Sequence, residues 1–142
     1  QCLRSKHPYH KEDRAMQILI IEDEISASKR LTNMLKKIDP SLEILAIIDS
    51  IEDAVEWLNE NNEPDLILAD IQLSDGVCFD IFRQVKTTCA VIFTTAYDEY
   101  AIQAFKVNSI DYLLKPVEKD ELQTAFEKYQ HYNKRDNKHY AQ

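Results

Sequence analysis

Glycine is nearly absent from this chain: one residue, Gly76, in 142. A loop that wraps phosphates in successive backbone N–H groups needs several glycines, so P-loop and dinucleotide-binding readings are excluded. Cysteine is scarce and scattered. Cys2, Cys78 and Cys89 form no CxxC pair and are odd in number, which fits a reducing cytoplasm better than a disulfide framework. Cys78 and Cys89 lie beside apolar residues and read as small core side chains. No apolar run approaches the roughly 20 residues that a membrane span requires. Nor does a charged start lead into an apolar stretch and a small-residue cleavage site, so no secretion signal is evident. A cytoplasmic location without a membrane partner is expected.

Net positive charge is confined to the ends. Residues 1–15 carry four Lys/Arg against two acids, and residues 128–142 carry four against one. Residues 16–127 hold nine Lys/Arg against 22 acids, a net charge of −13. An acidic body repels nucleic-acid phosphates, so these residues make a poor DNA-binding surface. Most of this charge reads as solvated surface. Residues 1–15 are polar and without periodicity, and read as a vector-derived leader or a disordered extension ahead of Met16. His7 and His10 within it are too few ligands for a metal site.

What is present is alternation. Apolar runs at 17–21, 43–48, 66–69, 90–94 and 110–114 predict strands. Between them, helical spacing such as Ala27, Leu31, Leu35 and Ile38 predicts helices. Helices are also expected at 51–60, capped by Asp49-Ser50, at 79–86 and at 100–105. A final helix follows Pro116, with Leu122, Ala125, Phe126 and Tyr129 on one stripe. Asp75-Gly76 reads as a turn. The fold class is α/β: a flavodoxin-like (βα)5 doubly wound parallel sheet of strand order 2-1-3-4-5. One domain is expected over residues 16–131. The polar, basic residues 132–142 read as the start of a linker.

Reactive side chains stand at the carboxyl ends of four of these runs. Glu22 and Asp23 follow the first, Asp70 the third, Thr95 ends the fourth and Lys115-Pro116 follows the fifth. In an open parallel sheet these ends line the ligand crevice. Three carboxylates, a hydroxyl and an ammonium there suit a divalent cation and a phosphoryl group. Mg2+ takes oxygen ligands such as the carboxylates of Glu22, Asp23 and Asp70. Asp70 can act as a nucleophile that forms an acyl phosphate, while Lys115 and Thr95 contact phosphoryl oxygens. Thr94 and Thr95 point to opposite sides of the strand. Thr95 is favoured because Ala96 follows it.

In these residues, taken in order, the chain resembles the receiver domain of a bacterial two-component response regulator. The resemblance implies that Asp70 is the phosphoacceptor, and that Asp23, Asp70 and the backbone carbonyl of Gln72 bind Mg2+, with Glu22 acting through water. It implies a switch pair of Thr95 and Tyr112, a sensor histidine kinase as phosphodonor, and a homodimer when phosphorylated. Phe93-Thr94-Thr95-Ala96-Tyr97-Asp98-Glu99-Tyr100-Ala101 and Asp111-Tyr112-Leu113-Leu114-Lys115-Pro116 resemble receivers attached to a LytTR-type DNA-binding domain. DNA contact is then expected only through a C-terminal domain outside these residues. Ser74 stands where the family often has proline, which implies a more mobile loop.

Three alternatives differ in class. A phosphohydrolase of the haloacid dehalogenase type needs a second acid two residues after the nucleophile, where this chain has Gln72. A flavin carrier of similar fold would set a flavin phosphate against the acids. A stand-alone receiver-like module could serve dimerisation alone, although every acid is retained. The chain is expected to be a phosphoacceptor switch and not a turnover enzyme.

Overall fold

A computed structural model describes residues 14–97 and 109–141. Within them, five strands form one sheet: β1 (Gln17–Ile21), β2 (Glu43–Ile48), β3 (Leu66–Asp70), β6 (Ala90–Thr95) and β7 (Ser109–Leu114). All neighbours are parallel, in the order β2-β1-β3-β6-β7. Counted along the sheet, this is the expected 2-1-3-4-5. Two further strands, β4 (Gln72–Leu73) and β5 (Gly76–Val77), make an antiparallel hairpin directly after β3.

The apolar runs form the central strands because both of their faces are covered. Residues 18–21 of β1 and 66–69 of β3 are buried almost completely. On one face, Ile18, Ile20, Leu66, Leu68 and Ile92 pack with Leu31, Met34 and Leu35 of α1 (Ile25–Ile38) and with Leu122, Ala125 and Phe126 of α4 (Lys119–Ala141). On the other, Leu19, Ile21, Ile67, Ala69 and Phe93 pack with α2 (Ile51–Glu60) and α3 (Phe79–Gln84). Phe93 anchors this layer, with the rings of Phe79 and Phe82 edge-on at 5.2 and 6.1 Å between centroids.

The observed elements extend or trim several expected ones. Asp70 and Thr95 are the last residues of their strands, not the first residues beyond them. The helix expected at 79–86 stops at Gln84. The final helix continues to Ala141, past the composition change at Tyr132. The helix expected at 100–105 lies outside the described residues. Arg14, within the segment read as a leader, contacts Asp65 at 3.2 Å, and Asp65 also accepts from the Gln17 backbone N–H at 2.8 Å. This clasp pins the start of β1 to the start of β3.

The single glycine has a definite place. Gly76 adopts φ +145°, and a Cβ there would meet Ile51 Cδ1 at 3.0 Å. The turn it permits carries Asp75 back onto the start of α2, where its carboxylate accepts from the N–H groups of Ile51 and Glu52 at 2.9 and 3.3 Å. Ser50 caps the same helix by accepting from Asp53 N–H at 3.1 Å. Gly76→Ala is expected to destabilise the protein by about 1–3 kcal/mol through backbone strain. Chemical denaturation checks this; an unchanged midpoint would contradict it.

Candidate functional site

The strand register assembles the site. Ile21 pairs with Ala69, so Glu22 and Asp70 stand next to each other one step further on. Asp70 pairs with Thr94, and Thr95 with Leu114, which brings Lys115 to the same edge. The ladders continue just past the strands: Glu22 N–H donates to Ile48 O at 2.8 Å, Ile71 N–H to Thr94 O at 2.9 Å and Lys115 N–H to Thr95 O at 2.7 Å. The backbone around Glu22, Asp70 and Lys115 is thus held before any side chain is considered. The Lys115–Pro116 peptide is cis.

Glu22, Asp23 and Asp70 each offer a carboxylate oxygen, and the three lie within 4.8 Å of one another. Three oxygen donors at this spacing fit a hard divalent cation. Lys115 closes the other side. Its Nζ donates to Asp70 Oδ2 at 2.9 Å and lies 2.9 Å from Glu22 Oε1, with exposed Glu24 further off at 3.6 Å. The Glu22 contact is a charge contact off the directed hydrogen-bond geometry, because Oε1 is buried without a hydrogen-bond partner. Asp70 is recessed, yet 8% of its side chain remains exposed, so its carboxylate can be reached from solvent.

Burial shapes the charge states. It pushes the Glu22 carboxyl up to about 7, helped by the Asp70 charge and opposed by Lys115. Burial pulls the Lys115 ammonium down, but its contacts with Asp70 and Glu22 outweigh that and hold it above its ordinary value. Three acids facing one lysine are a frustrated arrangement in the absence of a further cation. Cys78, nearby, is pushed well up by burial and by the charges of Asp70 and Asp80, so it stays a thiol within the core.

The remaining expected residues take more varied places. Gln72 follows Asp70 closely, and its N–H donates to Asp70 Oδ1 at 3.2 Å. Thr95 is fully buried, and its hydroxyl accepts from Tyr97 N–H at 3.2 Å. Tyr112 packs on the Phe93 layer, and its hydroxyl donates to the carbonyl of Tyr97. The backbone of Tyr97 therefore joins Thr95 to Tyr112. Nothing in the residue type of Tyr97 announces this role, since a backbone bridge leaves no trace in the sequence. Asp75 was likewise read only as a turn; its helix-capping contact spans 24 positions.

An open, doubly wound parallel sheet with an acidic cluster and a lysine at its carboxyl edge defines the class: a flavodoxin-like α/β domain. Comparison with known proteins gives the family. Residues 18–127 match the response regulator receiver domain, and the chain belongs to that family. It is 38% identical over 117 residues to the sensory transduction protein LytT of Bacillus anthracis, covering 80% of this chain and 47% of that protein. It is 34% identical to the transcriptional regulatory protein LytR of Staphylococcus aureus, covering 80% of this chain and 46% of the relative. The chain thus spans about half the length of the curated relatives it matches. Among solved structures it is similar to the response regulatory domain of protein mrkE from Klebsiella pneumoniae, with TM-score 0.70, 30% identity and coverage of 81% of this chain and 95% of that one. It is also similar to the N-terminal domain of a response regulator/sensory box/GGDEF protein from Carboxydothermus hydrogenoformans, with TM-score 0.71, 29% identity, and 84% and 98% coverage. Among the described residues, no helix is long and apolar enough to cross a membrane.

Proposed function

We propose that this receiver domain is a Mg2+-dependent phosphorylation switch with Asp70 as the phosphoacceptor. The observation that carries the reading is the position of the Asp70 carboxylate at the end of the central strand, 2.9 Å from the Lys115 ammonium and clustered with the carboxylates of Glu22 and Asp23. Mg2+ bound by Asp23, Asp70 and the Gln72 carbonyl, with Glu22 acting through water, would neutralise the carboxylate and the incoming phosphoryl group. The donor is a phosphohistidine of a sensor histidine kinase: its P–N bond breaks, a bond from phosphorus to an Asp70 oxygen forms, and the imidazole leaves. Lys115 then pairs with a phosphoryl oxygen as a fixed positive charge.

The product is read out through Thr95 and Tyr112. Freeing the Thr95 hydroxyl from Tyr97 N–H to meet the phosphoryl group perturbs the residue that Tyr112 also holds. The face around β7 then changes its self-association, or its hold on a C-terminal DNA-binding domain. The names of the LytT and LytR relatives support a role in signal transduction and transcription regulation. The domain assists only its own phosphorylation and dephosphorylation.

Intact mass after incubation with acetyl phosphate and Mg2+ tests the assignment. The protein is expected to gain about 80 Da, one phosphoryl group on a carboxylate nucleophile, and Asp70→Asn to gain nothing. A full gain in Asp70→Asn would overturn it.

A further inference from the structure

The crevice continues past Lys115 into a second space. Between α1 and residues 115–117 lies a half-open cavity of about 320 Å³, at the small end of the range for small-molecule sites. Ala27, Leu31 and Met34 from α1, together with Val117, give it an apolar lining. Among its polar lining groups, one uncharged side chain is buried without a partner. Thr94 is 1% exposed, and its Oγ1 has no hydrogen-bond partner. A buried hydroxyl without a partner is destabilising, and valine would fill the same volume without that penalty.

The charges around the cavity leave nothing over for an ionic ligand. The lining carries two acids, Glu22 and Glu24, and two cations, Arg30 and Lys115. Arg30 already donates to Val117 O at 2.8 Å, and Lys115 is engaged with Glu22 and Asp70. We infer that this cavity binds a small neutral molecule with a compact apolar body and one hydroxyl or amide group. The polar group meets Thr94 Oγ1 while the body lies against Leu31, Met34 and Val117. Such an occupant would sit one side chain away from Asp70, behind the Lys115 and Glu22 wall.

Benzyl alcohol and ethylbenzene are suitable probes, because they differ by a hydroxyl in place of a methyl. Each is titrated into the 15N-labelled protein without Mg2+ or a phosphodonor, so the result does not depend on the role of Asp70. Benzyl alcohol is expected to shift the amides of Ala27, Leu31, Thr94 and Val117 saturably. Thr94→Val should weaken benzyl alcohol about fivefold, the worth of one hydrogen bond, and should not weaken ethylbenzene. Ala27→Leu, which fills the cavity, should abolish both. The inference is overturned if benzyl alcohol does not saturate these amides, or if Thr94→Val leaves its binding unchanged or weakens both probes alike.

Discussion

Lys115→Met is expected to slow the labelling of Asp70 by acetyl phosphate about 100- to 1,000-fold, the usual effect of deleting one preorganised charge from a reacting centre. The basis is geometric. Lys115 Nζ is 2.9 Å from both Asp70 Oδ2 and Glu22 Oε1, so the ammonium stands where a phosphoryl oxygen would carry charge. Methionine keeps the length of the apolar stem and removes only the charge. The same change should lower the stability of the metal-free protein by about 3 kcal/mol at neutral pH, because two buried carboxylates lose their counter-ion. The loss stays near the lower end because Lys115 is what holds the Glu22 carboxyl down; without it Glu22 takes up a proton more readily. Lowering the pH should therefore shrink the difference between variant and parent. Lys128 supplies the contrast. It pairs with Asp111 at 3.0 Å but is 55% exposed, so Lys128→Met should change stability by less than about 1 kcal/mol. Stopped-time mass measurements and urea unfolding at two pH values check both halves. A Lys115→Met protein labelled at the parental rate would refute the assigned role.

Much of this site can be read from residue order because it is built on strand ends. Ile18 to Ile21, Leu66 to Ala69 and Val91 to Phe93 are apolar runs that fit only strands covered on both faces, and each places its polar neighbour at one edge of the sheet. Parallel register then does the rest, since residues equally far along adjacent strands lie side by side. What escaped is of another kind. The Asp75 cap on α2, the Arg14–Asp65 clasp and the Tyr97 bridge join positions that no periodicity links. The β4–β5 hairpin is too short for alternation to register. The helix through Ala141 runs into polar residues with no apolar stripe to announce it. Thr94 is the most instructive case. Alternation separates it correctly from Thr95, but only the packing of α1 against residues 115–117 makes its side of the sheet a cavity.

Mg2+ affinity should rise about tenfold per pH unit up to pH 7 and then level off, because the cation and a proton compete for Glu22. In the folded, metal-free protein the Glu22 carboxyl is raised from 4.5 to about 7, chiefly by burial and further by the Asp70 charge. The folded state thus binds this proton more tightly than the unfolded chain does. The contribution of Glu22 to stability is fully present below pH 4.5 and is lost as the pH rises through 7. Above pH 7 the metal-free domain carries three clustered carboxylates against one lysine, and a bound divalent cation would relieve them. Cation binding at about pH 6 should then release close to one proton, and at about pH 8 almost none, which calorimetry in buffers of different ionisation enthalpy resolves. Glu22→Gln should flatten the pH dependence and raise the stability of the metal-free protein above pH 7, while weakening the cation site. Equal Mg2+ affinity at about pH 6 and about pH 8 would mean that Glu22 is already ionised without metal, and that its buried place beside Asp70 is balanced by Lys115 alone.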